Sequence, residues 1–157
     1  MPRVIQPKQF GRPMGMYSHG MSAATGELVV VAGQVGVRAD GEPAGPDVGS
    51  QTKQALANVR VVVEAAGCTM RDVIRLQTFL TRAEEIPDFM KARGEVFAAY
   101  FPDGVYPPNT LVVVSRLVRP ELLVEVEAMA VKRTAARGVA KPAARKVRPA
   151  KRGRKRR

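Results

Sequence analysis

The sequence predicts an α+β domain: one mixed β-sheet with two helices packed on one of its faces. Three observations predict it. Apolar residues alternate at period two in some segments and recur at three- and four-residue steps in others, in the order β-β-α-β-α-β-β. The segments 28–35 and 110–117 are apolar at nearly every position, the pattern of strands covered on both faces. The segment 122–131 places Val124, Val126, Ala128 and Ala130 on one side and Glu125, Glu127 and Met129 on the other, the pattern of a strand with one face on a core.

Residues 1–15 carry Pro2, Pro7, Pro13, Gly11 and Gly15 without periodicity and read as an irregular lead-in. A short strand is expected over 16–23. Thr25-Gly26-Glu27 reads as a turn into the β-branched run 28–35. Residues 38–46, with Asp40-Gly41 and two prolines, read as a loop. Ala55, Leu56, Val59, Val62, Val63 and Ala66 then recur at helical steps. Asp47 or Ser50 can cap the start of that helix, and Gly67 stands where a left-handed cap ends it. Strand character returns over 72–81. Pro87 fits the first turn of a second helix, whose apolar face is Phe89, Met90, Val96, Phe97 and Tyr100. Three prolines and Gly104 make 101–108 a loop. Two strands, 110–117 and 122–131, follow around a turn at Pro120-Glu121.

The formal charge is +12, from 26 Lys+Arg against 14 Asp+Glu. Half of the cations lie in 132–157, which holds no acidic residue, so residues 1–131 carry 13 basic against 14 acidic residues, a net of −1. The chain reads as a near-neutral domain, 1–131, with a basic tail, 132–157, whose Pro, Ala, Lys and Arg cannot build a core and are expected to be disordered. A single cysteine, Cys68, excludes an intrachain disulfide and any multi-cysteine metal site, and fits a reducing compartment. No run reaches the length of a membrane span and no signal peptide is evident. A soluble, cytoplasmic protein is expected.

Two helices cover only one sheet face. Because 28–35 and 110–117 are apolar at nearly every position, the other face is expected to be buried by self-association.

The order of elements and several local strings resemble the RidA (YjgF) family. They are Tyr17-Ser18-His19-Gly20, Leu28-Val29-Val30-Val31-Ala32-Gly33-Gln34, Gln51-Thr52-Lys53-Gln54-Ala55-Leu56-Ala57-Asn58-Val59, and Val63-Glu64-Ala65-Ala66-Gly67. Then come Phe89-Met90, Ala99-Tyr100-Phe101, Arg116-Leu117 and Val124-Glu125-Val126-Glu127-Ala128-Met129-Ala130-Val131. The resemblance runs in order from about residue 16 to residue 131. It implies a chorismate-mutase-like fold, a barrel-like homotrimer and small-molecule clefts at the subunit interfaces. It implies hydrolysis of reactive 2-imino and enamine acids to 2-oxo acids and ammonia, with no metal or organic cofactor.

The resemblance also assigns residues. Glu125 matches the acidic residue that positions the hydrolytic water, and Tyr17 is the matching tyrosine; these are the candidate catalytic residues. Ala32, Gly33, Gln34 and Asn109 are the candidate substrate-binding residues. Two of them depart from the pattern. Family deaminases read Pro-Ala-Arg after the Pro-rich loop, and the arginine's planar fork binds the substrate carboxylate; this chain reads Pro107-Pro108-Asn109-Thr110. The second strand usually reads Ser-Gly-Gln; here it is Ala32-Gly33-Gln34. The chain therefore resembles a branch without the arginine. Losing a charge-assisted bond costs about 1.5–3 kcal/mol, so inefficient turnover of small 2-imino acids is expected.

The remaining reactive residues carry ordinary readings. His19, the only histidine, has no nucleophile–acid signature around it. Cys68, after a helix-ending glycine, reads as a small buried residue. Arg116 is expected in mid-strand, seven residues from Asn109 and on the opposite face. No His, Cys or carboxylate grouping has metal spacing, so no metal site is expected. The family is also associated with RNA cleavage, which no side-chain grouping here explains.

The alternative reading makes the domain a non-catalytic trimeric scaffold. Lys151, Arg152, Arg154, Lys155, Arg156 and Arg157 would then bind nucleic acid without sequence preference, since the tail has no aromatic residue to stack on bases.

Overall fold

The fold is that of a computed structural model, which describes residues 2–9 and 11–133. Its elements in order are β1 (Arg3–Ile5), β2 (Gly20–Ser22), β3 (Gly26–Val35), α1 (Val48–Ala65), β4 (Val73–Leu80), α2 (Ile86–Tyr100), β5 (Asn109–Val113) and β6 (Val124–Arg133). The main sheet has four strands in the order β3-β6-β4-β5. β6 runs antiparallel to both neighbours, while β4 and β5 are parallel. The expected α+β architecture, a mixed sheet with two helices, is therefore what the chain forms.

Helix α1 begins and ends where its sequence signals stand. Asp47 accepts from the Ser50 backbone N–H at 2.8 Å and is the N-cap. At the other end Gly67 takes φ +77°, which a side chain resists. Its N–H donates to Glu64 O at 2.9 Å and the Cys68 N–H to Val63 O at 3.1 Å, the paired bonds of a Schellman motif. Cys68 and Val63 both enter the core.

The core lies between the helices and one sheet face. Leu56 and Val59 of α1, Phe89 and Phe97 of α2, and the inward residues Val31, Leu76, Leu80, Val124 and Val126 form one buried cluster. Phe97 is fully buried and its ring packs against Phe101 and Tyr106, with centroids 4.9 and 5.8 Å away. Gln51, buried in α1, donates to Gly45 O (3.0 Å) and Glu121 O (2.9 Å) and accepts from the Leu123 N–H (2.9 Å). One amide so ties the loop after β3 and the turn before β6 to the helix.

Several boundaries differ from the sequence expectation. The lead-in contains β1, which pairs with β2 in a separate two-stranded ribbon. A three-residue strand between prolines is too short to show a period, and the ribbon uses only 20–22 of the strand expected at 16–23. The expected turn at 25–27 instead opens β3, because Gly26 and Glu27 pair with Arg133 and Lys132. The expected strand 110–117 starts at Asn109 and stops at Val113, since pairing with β4 ends at Leu80. β6 continues to Arg133, so Lys132 and Arg133, assigned to the tail by charge, are strand residues. No helix among the described residues is long and apolar enough to cross a membrane.

β3 was expected to be covered on both faces. In the single chain Val31 is buried, while Leu28 and Val30 on the opposite face are 59% and 63% exposed.

Candidate functional site

Glu125 projects from β6 onto the open sheet face, where Phe79 of β4 and Val35 of β3 are its cross-strand neighbours. Between Val31 and Gln34 the register of β3 against β6 shifts: three steps on β3 span two on β6, so β3 bulges by one residue at Ala32-Gly33. The Glu125 carboxylate lies directly on the bare backbone of Gly33. A Cβ there would stand 1.6 Å from Oε1, so only glycine admits this placement. Gln34 turns back on the bulge, its Nε2 donating to Ala32 O (3.2 Å) and Gly33 O (3.4 Å). Burial, and then the nearby Glu127 carboxylate, push the Glu125 pKa up from the ordinary range. Among the described residues Glu125 forms no ion pair. A half-buried carboxyl without a counter-ion, on an accessible face, is suited to taking up and returning a proton.

A second constellation lies at the other end of β4. A cleft of about 260 Å³ is lined by Tyr17, Ser18, His19, Arg75, Pro108 and Asn109, among others. The Tyr17 and His19 rings meet edge to face with centroids 6.1 Å apart, and His19 Nε2 bonds Gly11 O at 2.9 Å. Ser18 is buried, and its hydroxyl has no partner among the described residues. Arg75 contributes a guanidinium that bonds the Gln77 amide oxygen.

Asn109 lies at this cleft but its amide is engaged on the inner side of the sheet. With the oxygen facing Arg93, as the surrounding donors require, it accepts from Arg93 Nη1 at 3.2 Å. Its nitrogen then donates to Thr78 Oγ1 (3.1 Å) and Leu76 O (3.2 Å). Arg93, on α2, is 5% exposed and lies over the Phe89 and Phe97 rings at 5.5 and 5.2 Å. It has no ion pair among the described residues, its Nε has no partner there, and burial pulls its pKa down.

The structure thus brings Ala32, Gly33 and Gln34 together with Glu125, and Tyr17 together with Asn109. It does not bring Tyr17 to Glu125 within one chain. Arg75 at the cleft and Phe79 beside Glu125 are four residues apart on β4, about 13 Å. Arg116, expected in mid-strand, lies beyond the end of β5, so strand alternation does not fix its direction. Lys151, Arg152, Arg154, Lys155, Arg156 and Arg157 lie outside the described residues. No group of three or more His, Cys, Asp or Glu side chains among the described residues could hold a metal ion. Arg75 and Arg93 were missed by pattern. Arg75 is one polar residue of an alternating strand. Arg93 shares a helical stripe with Phe89 and Phe97, and that four-residue spacing was its one available signal.

The comparisons with known proteins agree with this architecture. The family model for Endoribonuclease L-PSP matches residues 9–132. The RutC family protein PH0854 of Pyrococcus horikoshii is 36% identical over 133 residues, 84% of this chain and 99% of that protein. A protein of Salmonella typhimurium named 2-iminobutanoate/2-iminopropanoate deaminase is 29% identical over 135 residues, 85% of this chain and 100% of that one. The crystal structure of YyfB, a Rid family protein of unknown function from Yersinia pestis, superposes with a TM-score of 0.74 at 34% identity, covering 83% of this chain and 98% of that one. With the family model matching residues 9–132, a relative 36% identical over nearly its whole length and a fold superposing at a TM-score of 0.74, the chain belongs to the RutC/YjgF/Rid family, whose model is described as endoribonuclease L-PSP.

Proposed function

We propose that the protein binds and hydrolyses small reactive imine, enamine or related carbonyl compounds in clefts between copies of itself, in a homotrimer. The observation that carries this reading is Glu125, a carboxyl raised by burial and seated on the Gly33 bulge of an uncovered sheet face. Exposed Leu28 and Val30 on that face call for a covering surface. Since Arg75, at the Tyr17 cleft, and Phe79, beside Glu125, lie about 13 Å apart along β4 in one chain, a neighbouring copy's Tyr17 would complete the site at Glu125. There Glu125 takes a proton from water as the water oxygen attacks the C=N carbon and gives it to the nitrogen; it then takes the proton of the new hydroxyl and passes it to the amine as the C–N bond breaks, releasing ammonia and the carbonyl. A relative's name, 2-iminobutanoate/2-iminopropanoate deaminase, supports the substrate class. Because Asn109 stands where the family deaminases carry arginine, turnover of 2-iminopropanoate is expected to be slow.

The test is a coupled assay in which an amino-acid oxidase generates 2-iminopropanoate. Hydrolysis above the buffer rate, lost in Glu125→Ala, supports the reading. Buffer-rate hydrolysis for both proteins removes it.

A second reading, compatible with the first, follows from the 13 cations of 132–157. The tail would bind nucleic acid without sequence preference, and three tails on one trimer would reinforce one another. Deleting 134–157 should abolish retention on DNA or RNA at low salt; unchanged retention would remove it.

A further inference from the structure

The cleft between Tyr17 and Asn109 carries a positive charge, that of Arg75, which forms no ion pair among the described residues. Of its nine lining residues none is acidic. Arg75 bonds only a neutral amide oxygen, that of Gln77, and forms no ion pair among the described residues, unlike Arg71, which is tied to Asp103. Its side chain is exposed, so donors of its fork remain available. Behind the cleft, the buried Arg93 has no counter-ion among the described residues and bonds the Asn109 oxygen at the wall. Ser18, 6% exposed, lines the same cleft, and its buried hydroxyl has no partner among the described residues.

Asn109 cannot serve as the anion's anchor, because both protons of its amide are given to Thr78 and Leu76. The position beside it can. Leu76 is the cross-strand partner of Asn109, so Arg75 stands one residue along and one strand across from the place where the family deaminases carry arginine, about 6 Å away.

We propose that Arg75 is the ligand-anchoring cation of this protein, and that the Tyr17–Asn109 cleft takes a small carboxylate through the Arg75 guanidinium, with the Ser18 hydroxyl as a further donor. This inference rests on reading that cleft as part of the ligand site. The arginine lost from β5 is replaced from β4: Arg75 lies between the outer-face depression it shares with Gln77 and Glu127 and this cleft, whose lining holds no acid, and its planar fork matches a carboxylate in two parallel bonds. Arg93 does not touch the ligand. It holds the Asn109 amide inward and keeps the cleft floor positive.

The test is calorimetric titration of the full chain with pyruvate and with its neutral analogue pyruvamide. The wild type should bind pyruvate more tightly than pyruvamide. Arg75→Gln should weaken pyruvate about tenfold or more, the loss of one charge-assisted pair, and leave pyruvamide unchanged. Arg75→Lys should recover part of the loss. Equal affinity of wild type and Arg75→Gln for pyruvate, with binding still lost in Tyr17→Ala, overturns the role of Arg75 and leaves the cleft reading standing. Equal weakening of pyruvate and pyruvamide by Arg75→Gln marks a structural effect and also overturns it. Failure of the wild type to bind either compound at millimolar concentration overturns the cleft reading and the inference together.

Discussion

At residue scale the candidate chemistry depends on which side chain is absent as much as on which is present. Gly33 leaves room for the Glu125 carboxylate, and a methyl group there would displace it. Gly33→Ala is therefore expected to cost modest stability, about 1 kcal/mol, because a flexible carboxylate can move aside. Any hydrolysis should fall as far as in Glu125→Ala, and steady-state rates beside urea melts would separate the two effects. The pKa of Glu125 adds a pH signature. Its folded-state value is raised, so the native state holds the proton more tightly than the unfolded chain. Stability then declines as pH rises from the ordinary carboxylate value through the raised one. Glu125→Gln should flatten that decline, which urea titrations across the carboxylate range would show. Glu125, Gly33 and Gln34 were legible in the sequence as family strings, but their contact was not, since it requires a bulge that no local pattern announces. Asn109 was legible only as a missing charge. That a buried Arg93 turns its amide inward needed the packing of α2 on the sheet.

At the scale of elements, helix α1 was read correctly because its ends carry local signals. Asp47 accepts from the Ser50 hydroxyl and, next in weight, the Ser50 N–H, which together hold its carboxyl below the ordinary range. Asp47→Ala should cost about 1 kcal/mol. The depressed pKa means that this contribution is present above the unfolded value and lost as pH falls through the folded one. The difference between wild type and variant in urea melts should accordingly shrink toward acid. Helix α2 was read less fully. Phe89 and Phe97 are in the core as expected, yet Met90 is 39% exposed and the stripe between the two rings is filled by Arg93. A binary apolar pattern scores arginine as polar and cannot place it between rings. Phe97→Ala should cost about 3–5 kcal/mol in a chemical denaturation series, because the ring is fully buried against Phe101 and Tyr106. Strand ends were the least legible. β5 stops where its partner β4 stops, and β1 exists only because β2 is there to pair with it.

At the scale of the whole molecule, the outer face of the sheet is the feature the single chain leaves unfinished. Val30 pairs with Met129 in the β3–β6 register, and with Arg75, Gln77 and Glu127 these residues line a depression of about 120 Å³ on that face. Val30→Asp would put a charge into any interface formed there at the cost of no core contact, since Val30 is 63% exposed. Light scattering should give the mass of three chains for the wild type and of one chain for Val30→Asp, with the monomer still folded by circular dichroism. The charge division belongs to this scale too. It divides the sequence into residues 1–131, net −1, and the cationic stretch 132–157, of which Lys132 and Arg133 complete β6. By itself, the sequence determined the order of the elements after the lead-in, the caps of α1, the apolar surplus on two strands and the family, because each rests on local period, composition or an ordered set of strings. The tertiary structure alone decided that Glu125 rests on Gly33, that Asn109 faces inward to Arg93, and that Arg75 stands at the cleft beside it. Those are contacts across the sheet and between layers, set by register and packing among segments far apart in the chain.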